Sequence, residues 1–336
     1  MLGGPCLVPS NRCKLNYPRY LHVYTNSPTH SYRNHKESNQ PPQEFYRWPL
    51  VAEAGRNAIN IRYQLLDYIY TAMHTQTTIG TPLINPMFFA YPSDPNTFPL
   101  QLQYFFGASI LVAPVTAENA TSVDIYLPDD QYYDWYTLQP IRGAGANIHL
   151  DDVPFTSIPL YIKGGAVLPL RISSANTTTE LRKKNFKLVI APDLDGAATG
   201  SLYLDDGVSI VQPRTSSIEF SYTSKSKSKS RSRSKPSQHG GNWHGGGDFD
   251  SNFSDNGIGL GTLSMQGDFS FEAGVVIEEI VLLGVGQGRA GQGSPPAQWC
   301  RGRTVMPLYN ATVGTLTYRV DVPLTGAFEM DVGWGF

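Results

Sequence analysis

Cysteine is scarce in this chain: three residues in 336, Cys6, Cys13 and Cys300. An odd number at wide spacing gives no disulfide framework and no zinc-ligand pattern, although a Cys6–Cys13 loop stays open. No run of about 18 apolar residues occurs, so no helix is expected to span a membrane. The N-terminal MLGGPCLVPSNRCKLNYPRY lacks the apolar stretch of a secretory leader. No phosphate-binding glycine loop and no serine or cysteine triad pattern is present. Charge is sparse as well, at 16% of residues with a formal net charge of −2. Six of the 26 basic residues sit in SKSKSKSRSRSK (224–235), and the rest of the chain holds 20 basic against 28 acidic residues. That acidic body argues against a nucleic-acid partner and suits a neutral ligand.

Aromatic residues, glycine and proline are plentiful instead: 19 Tyr, 15 Phe, 32 Gly and 25 Pro. This composition favours β-sandwiches joined by many turns. One long helix is expected, from Val51 to about Thr78, with Pro49 tolerated in its first turn. Ala58, Ile61, Leu65, Ile69 and Met73 recur at three- and four-residue steps, and Leu66 and Ala72 widen the stripe. Gly80 ends the helix and Pro82 prevents its continuation. Beyond it the period shortens. PMFFAY (86–91), SILVAP (109–114), VDIYLP (123–128), YYDWY (132–136) and PLYIKGGAVLPL (159–170) read as strands, with Gly164–Gly165 as a hairpin turn. NFKLVIAP, GSLYLDDG and SIEFSYTS begin a second β-region. It is interrupted by a low-complexity insertion over 224–262 and resumes through GDFSFEAG, VVIEEIVLLGVG, GTLTYRVDVPL and AFEMDVGW.

Several segments carry a specific likeness in the right order. Arg33-Asn34-His35 is followed by Pro42-Gln43-Glu44 and Arg47-Trp48, then by NAINIRYQLLDYIYTAMHTQTTIGTPLINPMFF. QLQYFFGASILVAPVTAENATSVDIYLPDDQYYDWYT, IPLYIKGGAVLPL and TTTELRKKNFKLVIAPDLDGAATGSLYLDDG come next. Together they closely resemble the C-terminal part of the α-glucosidases of glycoside hydrolase family 31, from about residue 31 to about 222 and faintly from 263 onward. The resemblance implies a mainly β chain. It would consist of the last strand–helix unit of a TIM (β/α)8 barrel (31–84), a proximal β-sandwich (85–172) and a distal β-sandwich (180–336). Residues 1–30 stand outside it, LHVYTNSPTH (21–30) included, and read as poorly ordered.

In the parent family the reaction is retaining hydrolysis of a terminal α-glucosyl bond, without a cofactor. The resemblance makes His35 a substrate-binding residue that closes the sugar pocket, with Arg33 beside it touching substrate or bracing the loop. An imidazole can donate to one sugar hydroxyl and accept from another. The expected partner is an α-glucoside oligosaccharide in the intact parent, with neither nucleic acid nor membrane involved. Retention needs two carboxyl groups about 5–5.5 Å apart, and the family's aspartate motifs do not occur here. Asp151-Asp152 and Asp205-Asp206 cannot replace them, because neighbours on a strand point to opposite faces; they read as turn caps or holders of a structural cation, and Asp129-Asp130 has the same turn reading. The chain by itself is therefore expected to be inactive, and a noncatalytic carbohydrate-binding scaffold is the alternative. Four N-x-S/T sequons, at Asn119, Asn176, Asn252 and Asn310, are candidate glycosylation sites and suit a secreted parent.

Overall fold

The structure is a computed structural model and describes residues 45–117, 120–225, 260–286, 298–300 and 303–333. The expected helix is present as two consecutive segments, α1 (Pro49–Gln64) and α2 (Leu66–Ile79), which meet at Leu65. Gly80 closes α2 at φ 80, with its N–H bonded to the Gln76 carbonyl. The buried face differs from the apolar stripe. Ala58, Leu65 and Ile69 are buried as expected, but Met73 is exposed, while Tyr68 and Thr71 face inward. Their hydroxyls make this possible. Tyr68 Oη donates to the Phe106 carbonyl at 2.9 Å and accepts from the Ser109 N–H at 3.0 Å. Thr71 Oγ1 donates to the Asp67 carbonyl and accepts from the Tyr203 N–H. A buried polar group costs little once it is paired.

The helical pair leads into a six-stranded sheet. Its members are β1 (Ile84–Pro86), β2 (Tyr104–Phe106), β3 (Ile110–Val112), β5 (Gln131–Asp134), β6 (Pro140–Arg142) and β8 (Leu160–Lys163), in the order β1-β2-β3-β8-β5-β6. The antiparallel partners β4 (Val123–Leu127) and β7 (Ala146–Leu150) form a two-stranded sheet of their own. The strand expected over 86–91 is instead the end of β1 followed by a single helical turn, α3 (Met87–Ala90). That turn sends Met87 into the core with Phe105, Leu111 and Tyr132.

The second sheet has nine strands. They are β9 (Ala166–Arg171), β10 (Phe186–Ala191), β11 (Ala197–Leu204), β12 (Ser216–Ser224), β13 (Gly261–Phe269), β14 (Val276–Leu282), β17 (Leu308–Asn310), β18 (Thr315–Pro323) and β19 (Phe328–Val332). Their order is β17-β18-β14-β10-β9-β11-β12-β13-β19. A short helical turn, α4 (Thr178–Leu181), lies between β9 and β10, and β15 (Gln298–Cys300) pairs with β16 (Arg303–Val305). Gly164–Gly165 is not a hairpin. β8 lies in the six-stranded sheet, β9 lies in the nine-stranded one, and the glycines carry the chain across. Gly165 has φ 88, and a Cβ on Gly164 would lie within 3.1 Å of Gln131 and Asp193 atoms, so a side chain would obstruct the crossing. Ser224 pairs with Gly261 across β12 and β13. The low-complexity insertion thus connects neighbouring antiparallel strands, and residues 226–259 lie outside the described part.

One apolar cluster unites these parts. Leu65, Tyr68 and Ile69 of the helical segment pack with Phe106, Ile110 and Ile162 of the first sheet and with Leu168, Val189 and Val281 of the second. The helix is therefore part of the β-domain core, and a second, larger cluster fills the nine-stranded sheet around Phe186, Phe220 and Tyr318.

Candidate functional site

Above that shared cluster the polar residues of α2 meet the nine-stranded sheet. Asp67, in the first turn of α2, faces Arg171 at the end of β9: Nε–Oδ2 and Nη2–Oδ1 are both 2.7 Å. Arg171 also donates to the carbonyls of Lys184 and Arg182 and lies over the Phe186 ring, 3.9 Å from its centre. A planar guanidinium suits this combination of a forked carboxylate contact and ring stacking. One turn further, Tyr70 Oη donates to Asp205 Oδ2 at 2.6 Å. Arg182 grips the same carboxylate at 3.1 Å, and the Gly207 N–H donates to it at 2.8 Å. His74 stacks on Tyr203 with centroids 3.7 Å apart. Burial first, and then the bond to Asp205 and its charge, push the Tyr70 hydroxyl up to about 12, so it stays a donor at neutral pH.

This arrangement fastens the helix to the sheet. Each carboxylate is engaged by cations or N–H groups, and no His/Cys/Asp/Glu group among the described residues could hold a metal. Of the paired acids, Asp206 accepts from the Val208 and Ser209 N–H groups and from Ser209 Oγ, which holds its carboxyl down at about 2. Asp129 pairs with Arg142, and Asp130 accepts from Tyr91 and lies 3.3 Å from Lys163. Asp151 contacts His149, and Asp152 takes a left-handed φ of 52. Asp134 caps its turn through the N–H groups of Tyr136 and Thr137.

His35, Arg33, Asn119 and Asn252 lie outside the described residues. Asn176 and Asn310 are both exposed. The Asp67–Arg171 junction was not foreseen from the sequence. Its signal was an aspartate beside the apolar helix stripe and an arginine ending the apolar run AVLPLR.

Comparison with known proteins gives this architecture its family. Residues 19–72 match the glycosyl hydrolases family 31 TIM-barrel domain, and residues 80–168 match the glycosyl hydrolase family 31 C-terminal domain. Over these two stretches the chain is similar to the C-terminal part of family 31 glycosyl hydrolases. The match begins at residue 19, ahead of the residue 31 where the motifs begin, so LHVYTNSPTH falls inside the barrel segment after all. Among individual relatives, a probable alpha/beta-glucosidase of Neosartorya fischeri is 45% identical over 301 residues, covering 90% of this chain and 29% of the relative. An Aspergillus fumigatus protein of the same description is 59% identical over 191 residues, 57% of this chain and 22% of its own length. The alpha-glucosidase of Schizosaccharomyces pombe is 42% identical over 196 residues, 57% of this chain and 20% of its own length. The chain thus spans less than a third of the relatives it matches. Among solved structures, the ER glucosidase II complex superposes with a TM-score of 0.73 at 24% identity, over 95% of this chain and 33% of that one. A Flavobacterium johnsoniae dextranase superposes at 0.68 and 17% identity, over 94% and 37% of the two chains. At these identities the superpositions establish the fold.

Proposed function

We propose that this chain supplies the closing barrel segment and the bracing β-domains of a retaining α-glucosidase that acts on terminal α-glucosyl bonds. The observation that carries this reading is the junction itself. The barrel's last helix shares one core with both sheets and is fastened by Asp67–Arg171 and by Tyr70, Asp205 and Arg182. A loop preceding that helix would be held still at the C-terminal barrel face, where barrel active sites lie. His35 and Arg33 occupy that loop by resemblance, with His35 bonding the sugar hydroxyls. The catalytic carboxylates come from earlier barrel strands, and carboxylate chemistry needs no cofactor. The substrate is an α-glucoside oligosaccharide, and the enzyme is secreted. The glucosidase descriptions of the fungal relatives support the substrate class.

Hydrolysis of maltose by this chain alone is expected at background. Fusion to the upstream barrel of the Neosartorya fischeri relative should bring turnover, lowered on His35→Ala. An ordinary enzymatic rate from the chain alone, abolished by His35→Ala, would overturn the reading. Saturable maltose binding by calorimetry, with an inert fusion, would favour a noncatalytic carbohydrate-binding role.

A further inference from the structure

We propose that the apolar tip of the β11–β12 loop is the seat for the barrel helix next to α2 in the intact enzyme, a helix supplied by polypeptide upstream of this chain. This rests on the reading above that the chain closes a barrel. The tip is Val208, Ile210 and Val211, which are 88%, 101% and 86% exposed. Scattered surface aliphatics need no explanation, but three within four residues form a contiguous apolar patch. At that exposure they add almost nothing to the packing of this chain itself.

The loop is built to present them. Asp205 Oδ1 accepts from the Gly207 N–H at 2.8 Å, and Asp206 Oδ1 accepts from the N–H groups of Val208 and Ser209, both at 2.9 Å. Gln212 Nε2 donates to the Ser209 carbonyl. These bonds hold the backbone through polar atoms and leave the aliphatic side chains outside. Beside the tip opens a shallow cleft of about 610 Å³, lined by Gln212, Arg214, Thr215, Asp268 and Ser270. An apolar centre with a polar border is the anatomy of a protein interface.

The root of the loop points to the occupant. Two residues of α2 hold it: Tyr70 through Asp205 at 2.6 Å, and His74 by stacking on Tyr203. Tyr70 and Met73 of α2 are themselves partly exposed. An element flanking α2 thus comes beside the tip. The outer helices of a closed barrel form a ring, so the last of them has a helix on each side. A barrel takes about 250 residues, whereas the barrel match spans residues 19–72 and the chain covers 29% of the Neosartorya fischeri relative. The neighbouring helices therefore belong to upstream polypeptide.

The test compares the full chain with its fusion to the upstream barrel of that relative. Amide hydrogen exchange over 207–212, read by mass spectrometry, should slow about tenfold or more in the fusion. The triple variant Val208→Ser, Ile210→Ser, Val211→Ser should leave the thermal midpoint of the chain alone unchanged and lower that of the fusion by several degrees. A fusion that hydrolyses maltose while 207–212 exchanges freely overturns the docking and spares the glucosidase reading. Slowed exchange in an inert fusion supports the docking and counts against that reading. The intact relative gives a result that does not depend on the fusion folding: its loop aligned with 207–212 should be protected, and free exchange there sinks the docking. A chain alone whose light-scattering mass doubles with concentration, and falls back in the triple variant, assigns the tip to a second copy and overturns the barrel as its occupant.

Discussion

Asp67–Arg171 and Glu180–Lys183 are ion pairs of the same length, 2.7 Å, in opposite surroundings. The first has side chains only 14% and 2% exposed, links residues 104 apart and sits over an aromatic ring. The second lies three residues apart on a surface turn, with side chains 57% and 67% exposed. Distance alone would rank them equal. Burial decides, because a charge left alone inside has no water to turn to, whereas an exposed pair exchanges one solvated state for another.

Breaking the buried pair should have the largest effect. Arg171→Met, which strands Asp67 under the sheet, is expected to cost about 3–5 kcal/mol in denaturant unfolding. The double variant Asp67→Leu with Arg171→Met sharpens the comparison: it should recover most of that loss, since a packed apolar pair can replace a buried salt bridge at little cost. No recovery would mean that the backbone carbonyls bonded by Arg171 matter more than the charge. Next in size is Tyr68→Phe. It leaves the Phe106 carbonyl and the Ser109 N–H without their side-chain partner, at about 1–3 kcal/mol.

Smaller still is a pH effect at the β4–β7 pair. His149 Nδ1 lies 2.6 Å from Asp124 and its Nε2 lies 3.1 Å from Asp151; the Asp124 bond first, then the Asp151 charge, raise its pKa. Its folded value lies above the unfolded one of about 6.5. The stabilisation is therefore complete below that value and fades as pH rises through the folded one. The thermal midpoint should drift down across that window, and His149→Gln should flatten the drift; a flat wild-type profile would refute it. Last comes Glu180→Gln, which should leave the unfolding midpoint unchanged within error, because the pair it breaks is solvated.

Much of the fold was legible. Periodicity located the helical segment to within two residues at its start and one at its end, and β3, β4, β8, β10, β14, β18 and β19 lie within the runs that suggested them, whereas β2, β6, β7, β15, β16 and β17 lie in no such run. The misses share a cause. Tyr68 and Thr71 are polar by type yet buried, because their partners lie 38 and 132 residues away in the chain. Gly164–Gly165 has the composition of a tight hairpin, and only the stacking of two sheets turns it into a crossing. The buried ion pair was missed for the same reason, since the aspartate beside the helix stripe and the arginine ending AVLPLR meet across 104 residues of chain. His35 and Arg33 lie outside the described residues and rest on the family motif alone, because a lone loop histidine carries no signal of its own.

The shared core has a consequence for the order in which this chain can fold. The helical segment leaves the ribosome well before the strands that cover it. Leu65 and Ile69 must wait for Leu168 and Val189, and Asp67 must wait for Arg171. Closing so long a loop is slow relative to forming a helix, so the apolar stripe spends that interval uncovered, within reach of chaperones or of other nascent chains. The last helix of the barrel is thus made before the strands that cover it and is among the last parts to be secured.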